Sequence, residues 1–337
     1  MGLVESGLWL DTLEMPEMLS GVVERRHGMT AAVEALREPG VRRIVATGNG
    51  AAWYVGHALY LAALTGEPGP EVIAVPGGLV AKGRFRFREG DRLLAISSSG
   101  EFRDVIEAIE HGAPRPVIAI TAHAESSVGR LADHVVLQDV LHQRGITHTQ
   151  ALGGALLLGL SIWAELTDDD SLRRAVDDAP AACAAAIEDA TAWLPTLDGI
   201  VVPPSAISFG GGPAWASALE AALLLKEVAR IPCEGSETRE GATSSMFGLR
   251  PGDLVVSIPS RGDDAISEAE RLCAAAGGVV VRCPGAEHAD PRLALVTALP
   301  STVGLAGVLA TMAGSDIDEP DWASAYYTTA RGGDQPA

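Results

Sequence analysis

Two stretches of this chain recur at a fixed distance, and that recurrence limits the fold more than any other feature. In ATGNGAAWYVGHAL, starting at Ala46, the residues Gly48, Gly50, Ala52 and Trp53 are matched 162 positions later by Gly210, Gly212, Ala214 and Trp215 in SFGGGPAWASALEA. GDRLLAISSSGE from Gly90 returns as GDLVVSIPSRGD from Gly252, again 162 positions on. A constant offset over both blocks means a duplicated domain, whose halves should pack as pseudo-symmetric neighbours.

Each half has the same grammar. A short apolar strand (RRIVATG; SAISFGG) enters a glycine turn and an Ala-rich helix. A second strand (RLLAIS; LVVSIP) enters a small polar turn and another helix (FRDVIEAIEHG; DAISEAERLCAAAGG), and a third strand follows (PVIAITA; GVVVRC). Strands alternating with helices at this spacing predict parallel βαβ units in an α/β class, with ligands at the carboxyl ends of the strands. The stretch from Leu166 to Asp198 reads as the junction, with one domain over 12–170 and a second, carrying a C-terminal tail, over 190–328.

At 337 residues with 47% hydrophobic and 20% charged side chains, the chain can bury two sizeable cores. Its net charge of -19 argues against nucleic acid or an anionic membrane surface as the main partner, because both reward clustered Lys and Arg. The cysteines Cys183, Cys233, Cys273 and Cys283 form no CxxC pair and no zinc spacing, so they read as reduced thiols of a cytoplasmic protein with no metal and no cofactor. The N-terminus MGLVESGLWL has no secretion-signal pattern. ALGGALLLGLSIWA, from Ala151 to Ala164, is shorter than the roughly 20 apolar residues that span a bilayer and predicts a buried helix.

Two places carry chemistry. SSSGE, Ser97 to Glu101, follows a strand and precedes a helix, where hydroxyls and N–H groups can converge on an anion. The same residues could instead serve as helix caps. The ATGNG turn at Ala46 lies at the equivalent edge of the preceding strand. In the second half Pro259, Ser260 and Arg261 replace Ser97, Ser98 and Ser99, so the first copy is the one expected to bind an anion. The second place is LLLKEVARIP, where Lys226 and Glu227 stand 162 positions after Leu64 and Thr65. The charges are therefore not required by the shared packing. Adjacent residues do not face one another on a helix, so at least one must point towards something other than its neighbour. Lys at a helix C-terminus is also favoured by the dipole alone.

These residues resemble the double sugar isomerase (SIS) family, in particular the isomerase half of glucosamine-6-phosphate synthase and related phosphosugar enzymes. GNGAAWYVGH, ISSSGE, GITHTQALGG from Gly145, ALEAALLLKEVARIPCEGSE from Ala218 and GSDIDEPDWA from Gly314 carry the resemblance, which spans about residues 12 to 328. It implies two flavodoxin-like parallel-sheet SIS subdomains. With Gly2 after Met1 there is no N-terminal cysteine nucleophile, so the isomerase half is expected without a glutaminase domain.

The resemblance assigns the acidic group of a sugar to Ser97, Ser98 and Ser99, with Asn49 and Gly50 nearby. Phe102 stands where the family has a Thr that helps hold a phosphate, which leaves a sulfonate or larger acidic group open. Ile146, His148 and Thr149 of GITHTQ are placed at the sugar, as are Glu237, Thr243 and, in the tail, Ser324. Glu227 matches the carboxylate that moves a proton between C1 and C2 of an open-chain sugar, with Lys226 beside it and His148 as a further catalytic candidate. Two family residues are missing: a ring-opening His expected near Glu240 to Ser245, where the chain reads EGATSS, and a C-terminal Lys expected near Ser324. No lysine follows Lys226, which excludes a Schiff base from the tail. The resemblance implies an aldose–ketose isomerase, with an amino-sugar deaminase or deglycase and a non-catalytic sugar-acid sensor as alternatives. It also implies a homodimer whose site is completed across the interface. CEGSETREGATSS is expected to be too polar for the core and to lie near the neighbour's sugar.

Overall fold

The structure, a computed structural model, describes residues 2–331, with the side chains of 26, 27, 324, 327 and 331 left aside. Contacts divide the chain into two compact units that interleave along the sequence. One comprises Glu17–Leu141, Ala151–Asp177 and 321–331; the other comprises 2–16, His142–Gln150 and Asp178–Pro320. They are called the first and second unit below.

The first unit holds five parallel strands, β1 (Arg43–Gly48), β2 (Glu71–Pro76), β3 (Asp91–Ile96), β4 (Ile118–Thr121) and β5 (His134–Leu137), in the order β2-β1-β3-β4-β5. Every residue of β1 and β4 is buried, as a parallel sheet covered on both faces requires. Val45, Leu93 and Ala119 of the sheet pack with Val105 and Ile109 of the helix Arg103–Glu110 and with Val128. The second unit repeats the plan with four strands, β6 (Ala206–Phe209), β7 (Cys233–Ser236), β8 (Leu254–Ser257) and β9 (Val279–Arg282), in the order β7-β6-β8-β9. Ile207, Phe209 and Val255 pack against Ile266, Ala269 and Cys273 of the helix Ile266–Ala275. The chain thus forms two α/β units with parallel sheets, as the repeat predicts.

The duplication reaches further than the glycine turns. At the start of β1 and β3, Arg43 donates from Nε and Nη2 to the two oxygens of Asp91 at 2.9 and 2.6 Å, and Arg88 N donates to Asp91 Oδ2 at 2.7 Å. In the second unit Ser205 Oγ donates to Asp253 Oδ1 at 2.8 Å and Arg250 N to Asp253 Oδ2 at 2.7 Å, each residue 162 positions on. One buried aspartate ties the strand starts in both copies, through a guanidinium in one and a hydroxyl in the other.

The sequence reading needs correction at one segment. CEGSETREGATSS is not an all-polar surface loop: Cys233–Ser236 is β7, and Ser236, Thr238, Gly241 and Ala242 are buried. Small side chains make this possible, because a Cβ at Gly235 would meet Ala218 O at 2.7 Å and Leu219 Cα at 2.8 Å on the helix Ala214–Glu227. The stretch Leu166 to Asp198 is mostly one 24-residue helix, Asp170–Trp193, with Pro180 inside it. The buried helix expected over Ala151–Ala164 is longer, Thr149–Thr167. That helix and the stretch Pro291–Ala313 are long and apolar enough to cross a membrane by length and composition, and 89% and 94% of their apolar windows are buried inside the protein, as in core helices.

Candidate functional site

In the first unit the strand order reverses direction between β1 and β3, so the turns after these two strands flank the topological switch point, where α/β sheets bind ligands. Those turns are GNG and SSSGE. Gly48 is required there, since a Cβ would stand 2.9 Å from Ile96 O at the end of β3. Gly50, with φ 54° and ψ −129°, enters the helix Ala51–Thr65 in a conformation that L side chains avoid. Asn49 Nδ2 donates to Asp104 Oδ2 at 3.2 Å.

The serines close their own turn and leave the following helix uncapped. Ser97 Oγ accepts from Gly100 N at 3.1 Å and Ser99 Oγ accepts from Glu101 N at 3.3 Å, while Phe102, the residue preceding the helix Arg103–Glu110, offers no side-chain cap. Ser98 contributes its carbonyl, which accepts from Thr121 Oγ1 at 3.1 Å. Glu101 turns away and accepts from Ser127 N at 2.8 Å and Ser127 Oγ at 2.7 Å. Phe102 packs on the core and lies 6.0 Å, ring centre to ring centre, from Tyr326, which meets Trp322 edge-on at 5.4 Å. Tyr326 belongs to the helix Ala323–Arg331; Ser324 is in it too, with a side chain outside the described set.

The matching switch point of the second unit, between β6 and β8, is filled from within. Gly211 replaces Asn49 and Asp263 replaces Glu101 at the 162-residue offset. A Cβ on Gly211 would stand 2.5 Å from the Asp263 carboxyl group, so the two replacements fit only together. Asp263 Oδ2 accepts from Thr238 Oγ1 at 2.6 Å and Oδ1 from Ala265 N at 3.1 Å. An internal carboxylate thus occupies the turn whose counterpart in the first unit carries the serines.

Lys226 and Glu227 close the helix Ala214–Glu227 in the second unit. Lys226 is exposed and Glu227 partly buried, and Thr147 Oγ1 donates to Glu227 Oε2 at 3.5 Å, the outer limit of a hydrogen bond. Burial pushes the Glu227 carboxyl up to about 7, with Thr147 and the Lys226 ammonium pulling the other way. A carboxyl poised there can take and return a proton near neutral pH. On the same helix Glu220 is buried, and its pKa is raised to about 8 by desolvation and by the Glu227 charge.

Thr147 is held by a stapled loop. Asp318 accepts from Gly7 N at 2.7 Å and Leu8 N at 2.9 Å at the start of the helix Gly7–Leu13, and its carbonyl accepts from Ile146 N at 3.1 Å. Arg144 donates to Asp11 Oδ1 at 2.6 Å and to Glu14 Oε1 at 2.7 Å, and His142 Nδ1 meets Glu14 Oε2 at 2.7 Å. The Arg144 guanidinium holds the Glu14 carboxyl down to about 2. Because the folded value lies below the ordinary 4.5, this contact contributes stability above pH about 4.5 that is lost as pH falls towards 2. Arg144→Met should therefore flatten the acid limb of a pH–stability curve in that window, and an unchanged limb would remove Glu14 as its source.

The remaining candidates take varied places. His148 is partly buried and its Nε2 contacts the Gln143 amide; Thr149, buried, opens the helix Thr149–Thr167. Glu237 caps the helix Thr238–Thr243, accepting from Arg239 N at 2.8 Å and Glu240 N at 3.2 Å. Thr243 is exposed and bonds back to Arg239 O at 2.7 Å. Within each unit, then, the structure brings Asn49, Gly50 and Ser97 to Ser99 to one switch point, and Glu227 to Thr147 of the GITHTQ loop. Thr147, Glu220, Asp104 and Asp263 were missed from sequence; only Glu220, the lone charge in an apolar helix before Lys226, left a visible mark. Among the described residues no cluster of three or more His, Cys, Asp or Glu could hold a metal ion.

No protein-family model matches the chain. It is 29% identical over 290 residues to the glutamine–fructose-6-phosphate aminotransferase (isomerizing) of Zymomonas mobilis, a match covering 73% of this chain and 46% of the relative. The C-terminal domain of glucosamine-fructose-6-phosphate aminotransferase from Francisella tularensis superposes with a TM-score of 0.80 at 17% identity, over 94% of this chain and 98% of that one. The fold is a double sugar isomerase (SIS) fold. Other structural neighbours are the tagatose-6-phosphate ketose/aldose isomerase of Escherichia coli (TM-score 0.75, 17% identity, 94% and 97% covered) and the glucosamine-6-phosphate deaminase of Thermotoga maritima (TM-score 0.68, 16% identity, 92% and 97% covered). The chain spans about half the length of the curated relatives it matches, and the similarity lies with their isomerase half.

Proposed function

We propose that this chain is a homodimeric aldose–ketose isomerase acting on a phosphorylated or otherwise acidic sugar. The observation that carries the reading is Glu227: a partly buried carboxyl at a helix end, held near neutrality, at a position the first repeat fills with Thr65. In the open-chain aldose, Glu227 takes the proton on C2. The C2–H electron pair forms the C1–C2 double bond of an enediolate as the carbonyl electrons move to O1, which takes over the proton of the O2 hydroxyl. Return of the proton to C1 with re-formation of the carbonyl at O2 gives the ketose. Lys226 and His148 are the candidates to meet the developing oxygen charge, and the serine turn takes the acidic group.

The relatives' names favour a second reading, in which the same base serves C–N chemistry at C1 or C2: one is an aminotransferase and one neighbour a deaminase. Incubating the protein with paired aldose and ketose 6-phosphates and with amino-sugar phosphates separates them. Interconversion without ammonium supports the isomerase, ammonium release supports the deaminase, and binding with neither leaves a sensor.

Ser97→Ala with Ser99→Ala should raise KM more than it lowers kcat, because contacts remote from the reacting carbons hold ground and transition states alike. The turn also loses two acceptors for Gly100 N and Glu101 N, at about 1 kcal/mol each. Unchanged KM in a variant with lowered stability would reduce SSSGE to a self-closing turn.

A further inference from the structure

A polar side chain at the carboxyl edge of the first sheet is left unused by the chain itself. Gln138 follows β5 directly and is 3% exposed, and neither its Nε2 nor its Oε1 has a hydrogen-bond partner among the described residues. A side-chain amide offers two donors and two acceptor lone pairs, and burying it with all of them unpaired is costly. Its stem is packed by apolar atoms: a Cβ on Gly154 would stand 3.8 Å from Gln138 Cβ and 3.4 Å from Met18 Sδ. An apolar side chain of the same length would fill this space at less cost, so packing does not account for an amide.

The backbone ladders place this amide relative to the serine turn. Ile96 pairs with Ile120 and Ile120 with Val136, which makes one row across β3, β4 and β5. The ladders run on past the strand ends: Ser97 N donates to Ile120 O at 3.0 Å, Ala122 N to Ser98 O at 3.0 Å and Gln138 N to Thr121 O at 2.9 Å. Side chains alternate along a strand, so Ser98, Ala122 and Gln138 form the next row on the same face. Burial follows that alternation, with Val136 and Gln138 buried and Leu137 between them 49% exposed. Two strand spacings of about 4.8 Å put Gln138 about 10 Å from Ser98, across the small side chain of Ala122. Ser98 and Ala122 are partly exposed, and the chain beyond Gln138 is pinned by Arg25, whose Nε donates to Asp139 Oδ2 at 2.6 Å.

We propose that the Gln138 amide is a substrate-binding group of the first unit: it donates to one hydroxyl and accepts from the next along an open-chain sugar whose acidic end lies on the serine turn. This deepens the function proposed above and rests on its assignment of the acidic group to that turn. A vicinal diol offers a donor and an acceptor side by side, which is what a fixed amide pairs with. The row also selects for length. A three-carbon phosphate held by the serines ends over Ala122, whereas a six-carbon chain reaches the amide.

The test measures binding of inorganic phosphate, glycerol 3-phosphate and glucitol 6-phosphate to the full chain by calorimetry. Wild type should bind glucitol 6-phosphate more tightly than glycerol 3-phosphate. Gln138→Met should weaken glucitol 6-phosphate by about tenfold or more and leave the two shorter ligands unchanged. The same substitution should raise the denaturation midpoint of the free chain, because it removes an unpaired buried amide. Ser97→Ala with Ser99→Ala should weaken all three ligands. Glucitol 6-phosphate bound equally by wild type and Gln138→Met, or glycerol 3-phosphate weakened as much, overturns the proposal and leaves Gln138 a core amide satisfied by water. Where Gln138→Met does not fold, the wild-type series decides, and equal affinity for glycerol 3-phosphate and glucitol 6-phosphate overturns it. If Gln138→Met weakens glucitol 6-phosphate while the serine variant weakens nothing, the amide contact stands and the assignment of the turn falls. A chain that binds none of the three overturns both.

Discussion

Glu227→Gln is expected to lower kcat by about 10²-fold or more while leaving ligand affinity largely intact. Gln keeps the size of the side chain and its contact with Thr147 but cannot accept the C2 proton. The repeat supplies an internal control: the equivalent helix of the first unit ends Leu64-Thr65, so the fold itself does not call for a carboxyl at this place. Stability should move in the opposite sense to activity. Glu227 is raised from 4.5 to about 7 on folding, so the folded chain holds more protons than the unfolded one between those values, and its stability falls as pH rises through them. Glu227→Gln removes that fall. A denaturant series at pH 5 and pH 8 should show the variant gaining relative to wild type at the higher pH. Loss of activity with the same pH trend as wild type would point to a folding defect instead.

The largest stability effect is expected at the start of the first sheet. Arg43 and Asp91 are a buried pair, with side chains 8% and 2% exposed and a closest approach of 2.6 Å. Burying both ions yields little net gain over an apolar pair, but removing one partner strands the other. Arg43→Met should therefore cost about 3 to 5 kcal/mol, read as a lower denaturation midpoint. Asp91 would keep only the Arg88 N–H, and Phe85 would lose the guanidinium 5.4 Å above its ring. The second unit shows what can replace the guanidinium, because Ser205 satisfies Asp253 there. Arg43→Ser should accordingly cost less than Arg43→Met, although Ser is smaller and buries less apolar surface. Equal losses would mean that packing against Phe85, and not the stranded charge, sets the cost.

What could be read in advance follows from the range of the interactions. β1, β3, β6 and β8 are apolar runs bounded by glycine turns, and period and punctuation identify such strands locally. β7 reads CEGS and carries no strand signal of its own, because its strand character comes from pairing with β6 and from the close approach of a helix at Gly235. The interleaving of the two units was equally invisible: 142–150 joins the second unit through contacts made by Arg144 and Gln150 to Asp11 and Glu14, more than 120 residues away in sequence. At the candidate site Glu227 stood out because the two repeats differ there. Thr147 did not, since its partner is 80 residues distant. The filled turn at Asp263 needed two compensating changes, Asn to Gly and Glu to Asp, whose meaning is steric and appears only when Gly211 and Asp263 are seen in contact.

In the proposed isomerase Glu227 carries a proton between two carbons of a sugar. Deuterium incorporation tests it most directly. The wild-type protein, incubated in deuterated water with an acidic ketose and followed by proton NMR, should place deuterium at C1 of the ketose or C2 of the aldose, at a rate that rises through pH about 7 as Glu227 ionises. Sugar that binds and stays fully protonated at both carbons, or exchange that proceeds at the wild-type rate in Glu227→Gln, would contradict the account.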